Sequence, residues 1–150
     1  MTTTTYEKCK EFKKKYKTTV VWWRVKKHAA LLDKTLKPGE EVLYAFAAQM
    51  GSNHAEVFNT AVLALTNKRI LIAQNRFLPG FKVISVTPDL FNDVKIVGGL
   101  VWGLICIDTV KEQIYFSNLS KKSLHEIKNT IVGYMIEAKK KRYHQEESSI

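Results

Sequence analysis

Four histidines and two cysteines are the side chains of this 150-residue chain best suited to metal or nucleophilic chemistry. His28, His54, His125 and His144 stand apart from Cys, Asp or Glu at any metal-ligand spacing. Cys9 and Cys106 form no CxxC pair, so neither a zinc site nor a disulfide framework is indicated, and a reducing compartment is expected. No nucleophile elbow, P-loop or GxGxxG occurs; Gly98-Gly99 lacks the rest of such a loop. The sequence therefore predicts no enzyme, no metal and no cofactor.

What remains is charge. The formal net charge is +10, which suits an anionic partner. The excess is uneven. Through Leu32, nine basic residues stand against Glu7 and Glu11, leaving +7 there and +3 in the rest. Lys13, Lys14, Lys17, Arg24, Lys26 and Lys27 fall here beside Trp22-Trp23. A tryptophan has an apolar body and one polar N–H, and with flanking cations it suits an interfacial position on an anionic membrane. Lys68-Arg69 at a hairpin tip, and Arg76 near the next turn, are further candidate anion contacts. For Lys68 and Arg69 the plainer reading is a solvated turn, with Arg69 pairing to Asp89 or Asp93.

The elements that must carry these residues follow from periodicity. Tyr6, Cys9, Phe12, Tyr16, Val20, Trp23 and Leu31 recur at helical spacings over 6–33, opposite a lysine-rich face. The β-branched run 18–21 is its weak point. Residues 1–5 are expected to fray. After Pro38-Gly39 the pattern turns to strands, over about 41–49, 57–66, 70–74, 81–86, 94–97, 100–108 and 113–117, with a polar loop at 51–56, a Pro79-Gly80 turn and Gly103 as a candidate bulge. In the hairpin 61–74, two apolar arms flank Thr66-Asn67-Lys68-Arg69, where Asn67 suits the positive φ of a short turn. A final helix opens on Ser123-Leu124-His125-Glu126, the spacing of a capping box. Its apolar residues recur from Leu124 to Ala138, and the basic run 139–142 falls in its last turn. The tail from Gln145 reads as loose. The longest apolar run, 96–107, is interrupted by three glycines and falls short of the roughly 20 residues of a spanning helix; no signal-peptide core opens the chain.

Four features together resemble the bacterial pleckstrin-homology (PH-like) domains, over about residues 36–138. They are Pro38-Gly39-Glu40-Glu41-Val42 before the first strand, Ala64-Leu65-Thr66-Asn67-Lys68-Arg69-Ile70-Leu71 in the hairpin, the strand pair leading to Ser117-Asn118-Leu119, and the helix that follows directly. The resemblance implies an α+β, mainly β fold: a partly open barrel of about seven antiparallel strands capped by the C-terminal helix, here preceded by an N-terminal amphipathic helix. The expected organisation is a basic helix over 1–35, the barrel and capping helix over 36–142, and a flexible tail over 143–150. The resemblance also implies a non-enzymatic binding module. In eukaryotic relatives, loop lysines bind inositol phosphates; the corresponding stretch, Met50-Gly51-Ser52-Asn53-His54-Ala55, carries no lysine or arginine, which argues against that ligand. The reading is thus a cytoplasmic module that docks to the inner membrane face or to a partner protein through its basic aromatic helix. The alternative is a structural module that self-associates, since the apolar stripe is also long enough for a helix pair. Nonspecific, salt-dependent nucleic-acid binding ranks third.

Overall fold

The computed structural model describes residues 4–51, 59–75 and 80–149. Two helices, α1 (Thr5–Lys15) and α2 (Trp22–Thr35), precede the sheet. Its strands are β1 (Val42–Met50), β2 (Thr60–Thr66), β3 (Ile70–Asn75), β4 (Phe81–Val86), β5 (Phe91–Val97), β6 (Trp102–Thr109) and β7 (Gln113–Ser120). A 25-residue helix, α3 (Leu124–Ser148), follows. Neighbouring strands are antiparallel in the order β4-β3-β2-β1-β7-β6-β5. The sheet curls into a half-barrel with β4 and β5 as its edges. Antiparallel alternation puts the β1–β2, β3–β4 and β6–β7 connections at one end. The β2–β3 turn, the β5–β6 loop and the start of α3 lie at the other.

The inner face packs Phe46, Leu63, Ile72, Ile105 and Phe116 against Leu124, Ile127, Ile131 and Met135 of α3. The outer face of β1–β3 is covered as well. Ala45, Ala47, Val62, Ala64, Leu71 and Ala73 meet Cys9 of α1 and Val25 and Leu32 of α2. This explains why β2 reads as an unbroken apolar run rather than an alternation: it is buried along its whole length, on both faces. Fully burying one such leucine or valine is worth about 1.5–3 kcal/mol, so both helices belong to the fold.

The helix expected over 6–33 is two. The chain leaves helical geometry at Tyr16 (φ −133°, ψ 134°) and regains it at Trp22. The β-branched residues between them favour extended backbone, and a sheet edge rewards it. Strands β1 and β7 pair only at Gln49–Ser117 and Met50–Phe116. Beyond that the seam opens, and Thr18 bridges to Leu119. Phe12 of α1 joins the inner cluster nearby, its ring 5.4 Å from Phe46. α1 therefore straddles the seam, with Cys9 on the outer cluster and Phe12 on the inner.

Three terminal expectations change. Thr4 and Thr5 are not frayed; residues 1–3 lie outside the described residues. Thr4 Oγ1 accepts from Glu7 N (3.2 Å) and Glu7 Oε2 accepts from Thr4 N (3.1 Å), a complete capping box. Thr5 Oγ1 donates to Asp33 Oδ1 (2.6 Å), tying α1 to α2. The capping box expected at Ser123 does not form. A 3-10 turn, Lys121–Ser123, precedes α3 and gives Ser123 a helical backbone (φ −84°, ψ −17°), so its Oγ donates back to Ser120 O (2.7 Å). Glu126 instead takes Lys15 and the Tyr44 hydroxyl (3.1 Å). Finally, α3 runs to Ser148, so residues 139–142 lie in mid-helix and the expected tail is helical. There Arg142 pairs with Asp89 (3.1 Å) and with Glu146 one turn on (3.7 Å).

Two glycine expectations fare differently. Gly103 does mark a bulge, since the β6–β7 register shifts between it and Ile105. A Cβ on Gly103 would come within 2.3 Å of Leu124 Cδ1, so the missing side chain admits the first residue of α3. Of the Pro79-Gly80 turn only Gly80 is described, at φ +136°; of the loop 51–56, only Gly51.

Candidate binding surface

The β2–β3 turn disposes of one candidate. Arg69 does not face solvent at the hairpin tip, and its partner is neither Asp89 nor Asp93. Its Nε and Nη2 clamp both oxygens of Glu40 at 3.0 Å, Nη2 also donates to Thr35 O (3.2 Å), and Nη1 donates to Ser85 Oγ (3.1 Å). Glu40 is fully buried and also accepts from Thr66 Oγ1 (2.7 Å) and Lys37 N (3.0 Å). Burial alone would push the carboxyl up, but these donors outweigh it and hold Glu40 down at about 2. The group locks the end of α2, the Pro38-Gly39 turn and the hairpin together. Asn67 serves the same lock. It does not adopt positive φ; its side chain accepts from Glu41 N (2.9 Å) and donates to Gly39 O (3.0 Å). Thr66 Oγ1 closes the turn by accepting from Lys68 N (3.1 Å) and Arg69 N (3.0 Å). Lys68 is exposed, its ammonium 3.2 Å from Pro38 O. Arg76 lies outside the described residues.

The α2 residues divide by helical phase. Val25, His28, Ala29 and Leu32 are buried against the sheet, so Trp23, Lys26, Lys27 and Ala30 face solvent on the other side. Trp23 is 62% exposed. Arg24 lies 5.2 Å from its ring and Lys27 5.9 Å. Lys27 is also 5.9 Å from the ring of Phe81, which opens the edge strand β4 and is 44% exposed. The result is two exposed aromatic rings joined by cations. Under them lies His28, buried, its ring edge-on to Phe81 at 5.4 Å. Burial lowers its pKa, and the Arg24 and Lys27 charges add to that. Trp22 turns inward instead: it packs edge-on to Tyr6 (6.2 Å) with Lys13 Nζ 3.9 Å above its ring. The adjacent tryptophans therefore do different work, one in the helix–helix contact and one on the surface. Lys14 is exposed on α1.

Lys17 sits apart from this patch. With Lys15, Lys121 and Lys122 it rims a groove of about 740 Å³ that also takes in Leu100, Val101 and Trp102. Sequence reasoning missed this groove because 100–108 reads as one apolar strand. The signals that mark it are Gly98-Gly99 just before Leu100 and Lys121-Lys122 just after β7.

Both thiols are free and buried. Burial raises the pKa of Cys9, as it does for Cys106, so neither resembles a reactive cysteine. Among the described residues no three His, Cys, Asp or Glu side chains converge as a metal would require. Nor is any described helix long and apolar enough to cross a membrane.

A curled antiparallel half-barrel, stoppered by a C-terminal helix and carrying basic surface patches, defines a class of small binding modules. The family model of the bacterial PH domain matches residues 36–132, and the chain belongs to that family. Domains of this kind generally bind lipids or proteins rather than catalyse reactions. No curated protein matches the chain.

Proposed function

We propose that this bacterial PH domain is a non-enzymatic docking module that binds an anionic membrane face through the outer side of α2. One observation carries the reading. Trp23 stays 62% exposed on a helix whose opposite face is fully packed, with Arg24, Lys26, Lys27 and the exposed Phe81 around it. A helix needed only for packing has no use for a solvent-facing tryptophan in a ring of cations. An interface does: the indole sits at headgroup depth, and each nearby cation adds about 1 kcal/mol of attraction, weakened by salt. Free, buried Cys9 and Cys106 suit a cytoplasmic position at the inner membrane face.

Flotation of the full chain with vesicles of phosphatidylcholine and phosphatidylglycerol at low salt tests this. The expected result is binding that weakens with salt and falls several-fold in Trp23→Ala and in Lys26→Glu/Lys27→Glu. Unchanged flotation of both variants would refute the α2 assignment. A second reading, self-association, is favoured by the outer edge of β4, which pairs with no other described strand, because a strand edge templates pairing with another copy. It predicts a concentration-dependent mass by light scattering that Phe81→Lys reduces.

A further inference from the structure

The β5–β6 loop, residues 98–101, ends in apolar side chains that have no place in the fold. Leu100 is 98% exposed and Val101 66%. The loop is nonetheless held in shape. Lys121 N donates to Val101 O (3.1 Å), and a Cβ on Gly99 would come within 2.4 Å of Trp102 O, so the chain closes there on glycine. On the rim of the same groove are Lys17, Lys121 and Lys122, all exposed and without an acidic partner among the described residues. Lys15, on the same rim, is taken by Glu126.

We propose that this tip and groove form a second contact with an anionic phospholipid bilayer, separate from the α2 face. Leu100 and Val101 enter the acyl boundary while Lys17, Lys121 and Lys122 meet the lipid phosphates. Exposure and charge together argue for a bilayer over an acidic peptide. Leu100 and Val101 stand in solvent beside three exposed lysines, matching a surface that is anionic outside and apolar beneath. The lysines alone would suit an acidic peptide; the almost fully exposed Leu100 adds the apolar contact that a bilayer offers. The position is also distinct. The loop lies at the barrel end shared with the β2–β3 turn, whereas Phe81 opens β4 at the other end. The two contacts therefore stand or fall separately.

The test labels Leu100→Cys with an environment-sensitive NBD fluorophore in the full chain; Cys9 and Cys106 are buried and leave this the accessible thiol. The expected result is a blue-shifted, several-fold brighter emission on vesicles containing phosphatidylglycerol and none on pure phosphatidylcholine. Lys121→Glu/Lys122→Glu should weaken that response roughly thirtyfold at low salt. In the unlabelled chain, Leu100→Asp, at a side chain 98% exposed, should weaken flotation with the same vesicles without loss of folded structure. An unchanged emission while the chain still floats would overturn the proposal and leave α2 as the membrane contact. A response to polyglutamate without lipid would overturn it in favour of a protein partner. Flotation that survives Trp23→Ala but is lost in Leu100→Asp would support the loop and remove the α2 reading.

Discussion

The β2–β3 turn and the outer face of α2 are built from similar residues and have opposite fates. Each offers cations beside hydrogen-bonding or aromatic groups, and each reads in sequence as a possible anion contact. At the turn, Arg69 spends its donors on a buried carboxylate, a carbonyl and a hydroxyl. On α2, the exposed Lys27 meets two aromatic rings. A charge becomes structural when the fold buries an opposite charge against it, and stays available when its neighbours are exposed. Exposed pairs contribute about 0–1 kcal/mol, whereas breaking a buried one costs several.

The sharpest way to break that contrast is Arg69→Ala. It leaves Glu40 buried without its counter-ion and should cost about 3–5 kcal/mol, lowering the melting temperature by roughly 10 °C while sparing vesicle binding. Loss of binding at unchanged stability would reverse the assignment. Acid titration follows. Glu40 is held at about 2 against an ordinary value of 4.5. The unfolded chain therefore takes up the proton first as pH falls. The stabilisation is complete above 4.5 and lost towards 2, a contribution on the order of 3 kcal/mol. Urea unfolding of Glu40→Gln across that window should be correspondingly flatter. Thr4→Ala removes the capping box and should cost about 1 kcal/mol by thermal melting, which asks whether α1 is part of the domain. The smallest change is expected at Trp23→Ala: within about 0.5 kcal/mol of the parent by the same melt, because the side chain is exposed, yet with weakened flotation. A large destabilisation would make Trp23 a packing residue like Trp22.

The same contrast shows what a sequence reveals. The hairpin arms, the sheet that carries them and the capping helix are legible because burial leaves periodic or continuous apolar runs. The break in the N-terminal helix is legible as a β-branched run, although its cause, an open β1–β7 seam that Thr18 fills, is not. The capping-box spacing at Ser123 misleads, because a preceding 3-10 turn redirects the hydroxyl and Lys15 and Tyr44 claim Glu126. The true box, Thr4 and Glu7, has the same spacing and hides in a threonine run that looks frayed. Within the candidate surface, Trp22 and Trp23 cannot be told apart by type. Nor does the run 96–107 announce that Leu100 and Val101 leave the sheet.

The sequence by itself determined the PH-like framework, the shortness of its longest apolar run and the concentration of charge in the first 32 residues, since these rest on local pattern and composition. Tertiary structure alone decided that the N-terminal helices cover the outer face of β1–β3, that Arg69 is locked to Glu40, and that Trp23, Phe81 and the β5–β6 tip stay exposed. Those outcomes depend on which distant side chain arrives opposite each residue, and spacing along one chain does not encode that.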